Sequence, residues 1–526
     1  MKECKLCGNT SDDACTVCPS CGAKFAKDAS VHETCVGCGR EMDTTADACP
    51  YCGEPYTHAK ATPADEKALA EDEKPYEATS ILGKSAVGKK LERGERKNHF
   101  MANGVVALFS LVVFVLLFFA GAEVVPLSMP SGVFGAPLSL ETYLGAREGY
   151  SQSTIDLVLG GVSLLTIDEN KMEAYLDTTF EQFNAAYAEA CEKYGEEIAK
   201  VHAIKDAAKQ KKEAKKLRKK LFSYAATRSD LNIVKVNYYS ARVGRLSSGE
   251  RLRAEAGAVG AALLGVLLLA SLVATLIFGG IAVYALIGRR ATAKPYRAFT
   301  VPVTLLLAAY ALSNLNPIAG ANGALTAAAV LPAVGAVLLC ACKRFLLDDA
   351  QTLSRKSLVR GSVSWLTALL AVFLLSGTLL TVKVVGLTAK GTVGVLVGEY
   401  VGSVLQRGDA ATAFGVALNS SSTMTLPYGI ITWIVATALS VRCVTAACAD
   451  LYTGKDEAET RKGKSSTMGY SVSAAVVTVV SLVLFLLAFS RANPGIGAPY
   501  IFAVLCLIAS AAVKYICAER PHDGEK

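Results

Sequence analysis

Residues 101–122 carry no charged side chain and are dominated by Val, Leu and Phe, and six further uncharged stretches follow at 256–288, 298–342, 361–382, 410–441, 465–490 and 492–513. In hydrocarbon every backbone N–H and C=O must be paired within the segment, so runs of this length and composition have essentially one solution, the transmembrane helix. The 45-residue run at 298–342 is too long for one crossing, and Asn314, Asn316, Pro317, Gly320 and Gly323 supply the turn that divides it. Eight spans are therefore expected. The composition agrees: 52% of the 526 residues are hydrophobic and 19% charged, with mean hydropathy +0.36, which excludes an ordinary soluble domain or a disordered chain.

Before the first span the chain changes character. Nine of the 16 cysteines lie within the first 52 residues. Cys4, Cys7, Cys18 and Cys21 read C-x2-C-x10-C-x2-C, and Cys35, Cys38, Cys49 and Cys52 repeat all four positions 31 residues later. Each C-x2-C pair lets two thiolates of one tight turn face the same ion, and two pairs close a tetrahedron with no room for water or substrate. The expectation is two structural Zn2+ ions. Cys15 has no counterpart, since Ala46 stands 31 residues on, and it could compete with Cys18 as a ligand; the match of Cys18-Pro19-Ser20-Cys21-Gly22 to Cys49-Pro50-Tyr51-Cys52-Gly53 favours Cys18 and Cys21. A ribbon of about 20 residues cannot bury enough apolar surface to fold alone, so metal binding must supply its stability.

Through CKLCG, CPSCG, CVGCG and CPYCG, residues 1–56 resemble the double zinc ribbon of many prokaryotic proteins. The resemblance covers about a tenth of the chain and implies an accessory module for protein contacts, in some proteins for nucleic acid. Five Lys or Arg against nine Asp or Glu in this segment is the reverse of a phosphate-binding footprint, so a protein partner is expected and nucleic acid is not.

The fold class expected is thus a small zinc-ribbon module joined to an all-α polytopic membrane protein with eight transmembrane helices and a mainly helical extracytoplasmic domain. The expected divisions are tandem ribbons at 1–56, a flexible linker with a basic end at 57–98, the first span at 99–125, the extracytoplasmic domain at 126–255, seven spans at 256–518 and a tail at 519–526. Orientation follows from the short loops. Six Lys or Arg lie between Lys84 and Lys97, and the loops at 289–297, 343–360 and 442–464 hold four, five and five, whereas the alternate loops hold none, three and one. Basic residues resist translocation, which places both termini in the cytoplasm of a cell membrane, where thiols stay reduced.

Within 126–255, Leu176, Phe180, Phe183, Tyr187, Ala190, Tyr194, Ile198 and Val201 form one apolar stripe at coiled-coil spacing. Nine Lys or Arg between Lys205 and Lys220 extend this as a basic outer helix suited to an anionic envelope component. Residues 231–239, LNIVKVNYY, alternate as a strand would. The five histidines show neither ligand spacing nor triad spacing, and no ionisable group falls inside the spans as drawn, leaving Tyr310, Asn314, Asn316 and Asn419 as the polar candidates. No catalytic residue and no organic cofactor is assigned. The expected function is a non-enzymatic scaffold or sensor in the lipid bilayer, with a permease for a neutral or lipidic substrate as the alternative.

Overall fold

The structure is a computed structural model that describes residues 96–127, 149–165, 168–288, 296–346, 355–384, 387–401, 422–453, 466–490 and 494–516, together with short strands at 2–3, 10–11, 32–34, 41–43, 87–90 and 290–292. The chain forms two compact units, residues 1–80 and residues 81–526. In the first, β1 (Lys2–Glu3) pairs antiparallel with β2 (Thr10–Ser11), and β3 (His32–Thr34) with β4 (Glu41–Asp43). The register repeats at the sequence period of 31: Glu3↔Thr10 superposes on Thr34↔Glu41, and Lys2↔Ser11 on Glu33↔Met42. In sequence, each strand pair therefore flanks one C-x2-C motif, Cys4 to Cys7 and Cys35 to Cys38.

The second unit has the architecture of an all-α polytopic membrane protein. Seven of its helices are long and apolar enough to cross a bilayer. They are α1 (Arg96–Phe119), α7 (Ser248–Gly288), α8 (Arg297–Leu315), α9 (Gly323–Leu346), α10 (Arg355–Leu375), α12 (Ser422–Thr453) and α13 (Ser466–Ala488). An eighth apolar helix, α14 (Ala498–Ile516), corresponds to the last expected span; its apolar stretch, Ala498–Lys514, is shorter than those of the other seven. Packing is that of a protein in lipid. On α7 the inward positions are mostly small, Gly257, Ala258, Ala261, Gly265, Ser271, Ala282 and Ala285, while Val259, Leu263, Val266 and Ile287 point outward. Small residues let helix backbones approach closely where lipid tails remove the hydrophobic incentive to associate.

Several boundaries differ from those read off the sequence. The run at 361–382 is a helix only to Leu375; Leu380–Val384 is strand β10. The run at 410–441 is replaced by α12, which starts at Ser422 and continues past Arg442 and Asp450 to Thr453. Ionisable groups do therefore lie within helices: Asp450 accepts a hydrogen bond from the Thr467 hydroxyl, and Lys514 is buried on α14. Among the described residues, the segment before α7 holds five helices, α2 (Thr154–Ser163), α3 (Glu169–Lys193), α4 (Gly195–His202), α5 (Ala207–Arg228) and α6 (Ile233–Arg242). The apolar stripe breaks at Tyr194, so it is no continuous coiled-coil helix; Leu176, Phe183 and Ala190 are buried in a globular core in which the Phe183 ring meets Phe222 of α5 at 5.1 Å. The expected strand at 231–239 is helical. Asn232 caps α6 by accepting from the Lys235 N–H, and Ile233, Val236, Asn237 and Ser240 are buried at helical spacing, which overrides the β preference of the branched residues.

The helices fall into two halves built to one plan. In the first, α1 leads into β6 (Gly121–Val124), which pairs with β7 (Tyr150–Ser153) on one side and β9 (Ala319–Ala321) on the other; β7 runs into the short helix α2, and β9 into α9. In the second, α10 leads into β10, which pairs with β11 (Leu387–Gly391) and β12 (Gly495–Ile496); β11 runs into the short helix α11 (Val393–Glu399), and β12 into α14. The registers superpose. Ala122 faces Gln152 and Ala321 as Leu380 faces Gly391 and Ile496, and Glu123↔Gly320 matches Thr381↔Gly495. The hydrogen bond from Asn322 N–H to Gly121 C=O (3.3 Å) recurs as Gly497 N–H to Leu379 C=O (2.8 Å). Four bundle helices thus make each half, α1, α7, α8 and α9 against α10, α12, α13 and α14. Helices α3 to α6 are an insertion in the first half, between its short helix and its second long one.

Both sheets lie at the end of the bundle where α1 stops, hereafter the domain end. Two contacts fix this. Arg253, at the start of α7, donates to Gly398 C=O (2.9 Å) and pairs with Glu399 (3.0 Å) of α11, and Gly394 of α11 sits against the Asn314 and Asn316 carbonyls at the end of α8. At the opposite end β5 (Val87–Lys90) pairs with β8 (Arg290–Thr292), which holds two of the basic segments on one side of the bundle.

Candidate ligand-binding cleft at the domain end

The eight expected metal ligands, Cys4, Cys7, Cys18, Cys21, Cys35, Cys38, Cys49 and Cys52, lie outside the described residues, as does Asn419. The other polar candidates hold the fold together. Asn316 donates to Gly257 C=O (2.8 Å) and accepts from Ile318 N–H (3.0 Å), tying α8 to α7, and Asn314 donates to Tyr310 C=O (2.7 Å) within its own helix. Two cavities between bundle helices are nearly filled. The one around Phe109, Thr275 and Pro332 holds about 10 Å³, and the one around Phe299, Trp365 and Thr445 about 0 Å³.

A much larger space opens at the domain end, a cleft of about 960 Å³ between α2, α3, α5 and α6. Its floor starts from α2. The Thr154 hydroxyl donates to Leu117 C=O (2.8 Å) and Ala120 C=O (2.9 Å), seating the helix on the end of α1, while Ser153 and Asp156 form a capping box. Gly265 lets α7 come against the Leu157 and Val158 backbone, where a Cβ would stand 3.0 Å away. Asn232 donates to Asp156 C=O (2.6 Å) and Ile233 N–H donates to Gln152 (3.1 Å), which fixes α6 across α2.

The cleft walls carry charges of both signs. Lys219 pairs with Glu123 at 2.8 Å, and Asp156 accepts from the Ser153 N–H (2.9 Å) and hydroxyl (2.8 Å). Lys235 stacks its ammonium on the Tyr175 ring at 3.7 Å. Burial pushes the Tyr175 hydroxyl above its ordinary pKa, so it stays protonated and donates to Asp230 C=O (3.3 Å). Asp230 has φ +48°, the only positive φ outside glycine among the described residues. It follows Ser229, the C-cap of α5, as the left-handed element of a helix stop, with Leu231 N–H bonded back to Ala226 C=O (3.2 Å), a place where glycine is the usual choice. An aspartate kept there at a conformational cost, with its side chain on a cleft, points to use of its carboxylate. Asp230→Gly is expected to stabilise the protein by roughly 0.5 to 1 kcal/mol, read as a higher thermal midpoint; a lower midpoint would mean that the carboxylate supports the fold.

No family model, curated protein or solved structure matches this chain. The function rests on its own chemistry. The cleft itself was not expected from the sequence: Lys219 belongs to the basic stretch and Leu231, Asn232 and Lys235 to the segment expected as a strand, but the walls come from six separated segments between Glu123 and Lys235.

Proposed function

We propose that the protein is a multi-pass membrane scaffold or sensor, non-enzymatic, with eight spans and both termini in the cytoplasm. The cleft at the extracytoplasmic end receives a ligand, and the zinc ribbons at the N-terminus hold a cytoplasmic protein. The observation that carries this reading is the distribution of space: a broad cleft outside the bundle against cavities of about 10 and 0 Å³ within it. A permease calls for a polar cavity at mid-depth, and the described residues hold none among those cavities. The helical insertion shares one continuous core with α1, α7, α8 and α9, so a change at the cleft bears directly on the bundle.

The two hairpins with a common register, each around a C-x2-C turn, support the pair of ribbons, and the basic short loops support the orientation. Closed Cys4 shells would bind Zn2+ through Cys4, Cys7, Cys18 and Cys21 in one ribbon and Cys35, Cys38, Cys49 and Cys52 in the other, giving structure and no catalysis. Elemental analysis of the purified full-length protein is expected to find two Zn2+ per chain. The double substitutions Cys4→Ser with Cys7→Ser and Cys35→Ser with Cys38→Ser are each expected to remove one and to abolish co-purification of the cytoplasmic partner, leaving the thermal midpoint of the bundle unchanged. A metal-free preparation that still captures its partner would defeat the ribbon assignment.

A further inference from the structure

The cleft lies where a membrane surface would meet the domain end. Its helix α2 begins at the level of the last turn of α1, packs on α7 along Leu157, Val158 and Gly161, and turns Ile155, Leu159 and Val162 outward, each more than half exposed. These three positions recur at i, i+4 and i+7 on a 10-residue helix about 15 Å long, too short to cross and apolar on its exposed face, as a helix lying in the headgroup region is. Leu159 and Val162 also line the cleft. One surface therefore offers an acyl chain an apolar track that runs directly into a polar recess.

The charges in that recess sort into spent and unspent. Lys219 and Glu123 neutralise each other, and Asp156 is committed to its capping box. Asp230 and Lys235 remain. Neither has an ion-pair partner among the described residues, the Lys235 ammonium lying on the Tyr175 ring, and both line the same space. One carboxylate and one ammonium, held apart, are complementary to a ligand with an ammonium and a phosphate held apart. The Tyr175 face is taken by the Lys235 ammonium, and the Tyr150 and Phe222 rings are stacked on each other at 3.5 Å, an arrangement that favours a primary over a quaternary ammonium. A primary ammonium, with three N–H donors, suits the Asp230 carboxylate.

We infer that the cleft is a binding site for the phosphoethanolamine headgroup of a zwitterionic phospholipid, with Asp230 receiving the ammonium, Lys235 the phosphate and the α2 stripe an acyl chain. This deepens the sensor reading and rests on it for the side of the membrane. The aspartate at the helix stop then has a use that glycine could not serve.

The test is thermal unfolding of the full-length protein in neutral detergent with short-chain phosphatidylethanolamine, phosphatidylcholine or phosphatidylglycerol added. Phosphatidylethanolamine is expected to raise the midpoint by several degrees more than the other two, because a ligand of the folded state shifts unfolding by mass action. Asp230→Asn, which tolerates the left-handed backbone, and Lys235→Gln are each expected to erase that difference while leaving the lipid-free midpoint close to that of the parent. Equal shifts with all three lipids would identify a non-specific lipid annulus and overturn the inference. A larger shift with phosphatidylglycerol would identify an anionic site and overturn it as well, as would an undiminished ethanolamine preference in Asp230→Asn. An epitope inserted at 203–206, between α4 and α5, separates the two readings: inaccessibility on intact cells removes the extracytoplasmic placement, whereas accessibility with no lipid preference removes only the headgroup site.

Discussion

Gly121→Ala and Gly497→Ala are each expected to cost about 3 kcal/mol or more and to leave little monodisperse protein, although each adds a single methyl group. A Cβ on Gly121 would stand 1.9 Å from the Gln152 carbonyl oxygen, and one on Gly497 would stand 1.9 Å from the Thr378 carbonyl oxygen. Both obstacles are backbone carbonyls, Gln152 in β7 and Thr378 two residues before β10, so neither can swing aside as a side chain would. The two glycines occupy opposite sides of the same repeated contact, Gly121 with Asn322 in the first half and Leu379 with Gly497 in the second. Gly280→Ala and Gly469→Ala, where a Cβ meets nothing within 4 Å, are the controls and are expected to keep or slightly raise stability. Yields and thermal midpoints that fail to separate the two pairs would contradict the close approach of strand and helix start on which both sheets depend.

The second large effect is expected at the joint between the halves. Glu399 is 4% exposed, and its carboxylate meets Arg253 across from the other half. Arg253→Met removes that charge and the bond to Gly398 C=O, leaving the carboxylate buried, at an expected cost of about 3 kcal/mol. Adding Glu399→Gln should recover much of the loss, because a neutral amide is far cheaper to bury than a carboxylate that has lost its guanidinium. Thermal midpoints of the two single variants and the double variant measure this. A double variant no better than Arg253→Met would show that packing around the guanidinium matters more than its charge.

Most of the bundle was legible in the sequence because a bilayer leaves so few alternatives. The seven long helices coincide with uncharged runs, and their ends were misjudged where an ionisable residue was taken as a boundary. Helix α12 carries Arg442 and Asp450 within its last turns, and α7 begins at Ser248, ahead of Arg251, Arg253 and Glu255. At helix ends such groups reach polar partners, so a charge marks the edge of the hydrocarbon and not of the helix. Residues 231–239 misled for another reason: buried on several sides, Ile233, Val234 and Val236 give a near-continuous apolar pattern whose period does not discriminate helix from strand.

The duplicated plan of the bundle was invisible beforehand. Its side chains have diverged, and what the halves share is hydrogen-bond register, with Gly320 and Gly495 at matched places and an Asn-Pro pair before each fourth helix, Asn316-Pro317 and Asn493-Pro494. The cleft was equally hidden, since a concave surface assembled from distant segments leaves no local pattern. Asp230 gave one faint signal, an acidic residue directly after a basic helical stretch where a glycine would stop the helix at lower cost.

Each half contributes four described helices entered from the same end, which has a consequence for ancestry and assembly. Both halves run in the same sense along the bundle, so a chain of half this length could have paired with itself about an axis parallel to the helices before fusion made the two permanent neighbours. Fusion then allowed the two copies to diverge, one of them carrying the helices α3 to α6 that wall the cleft.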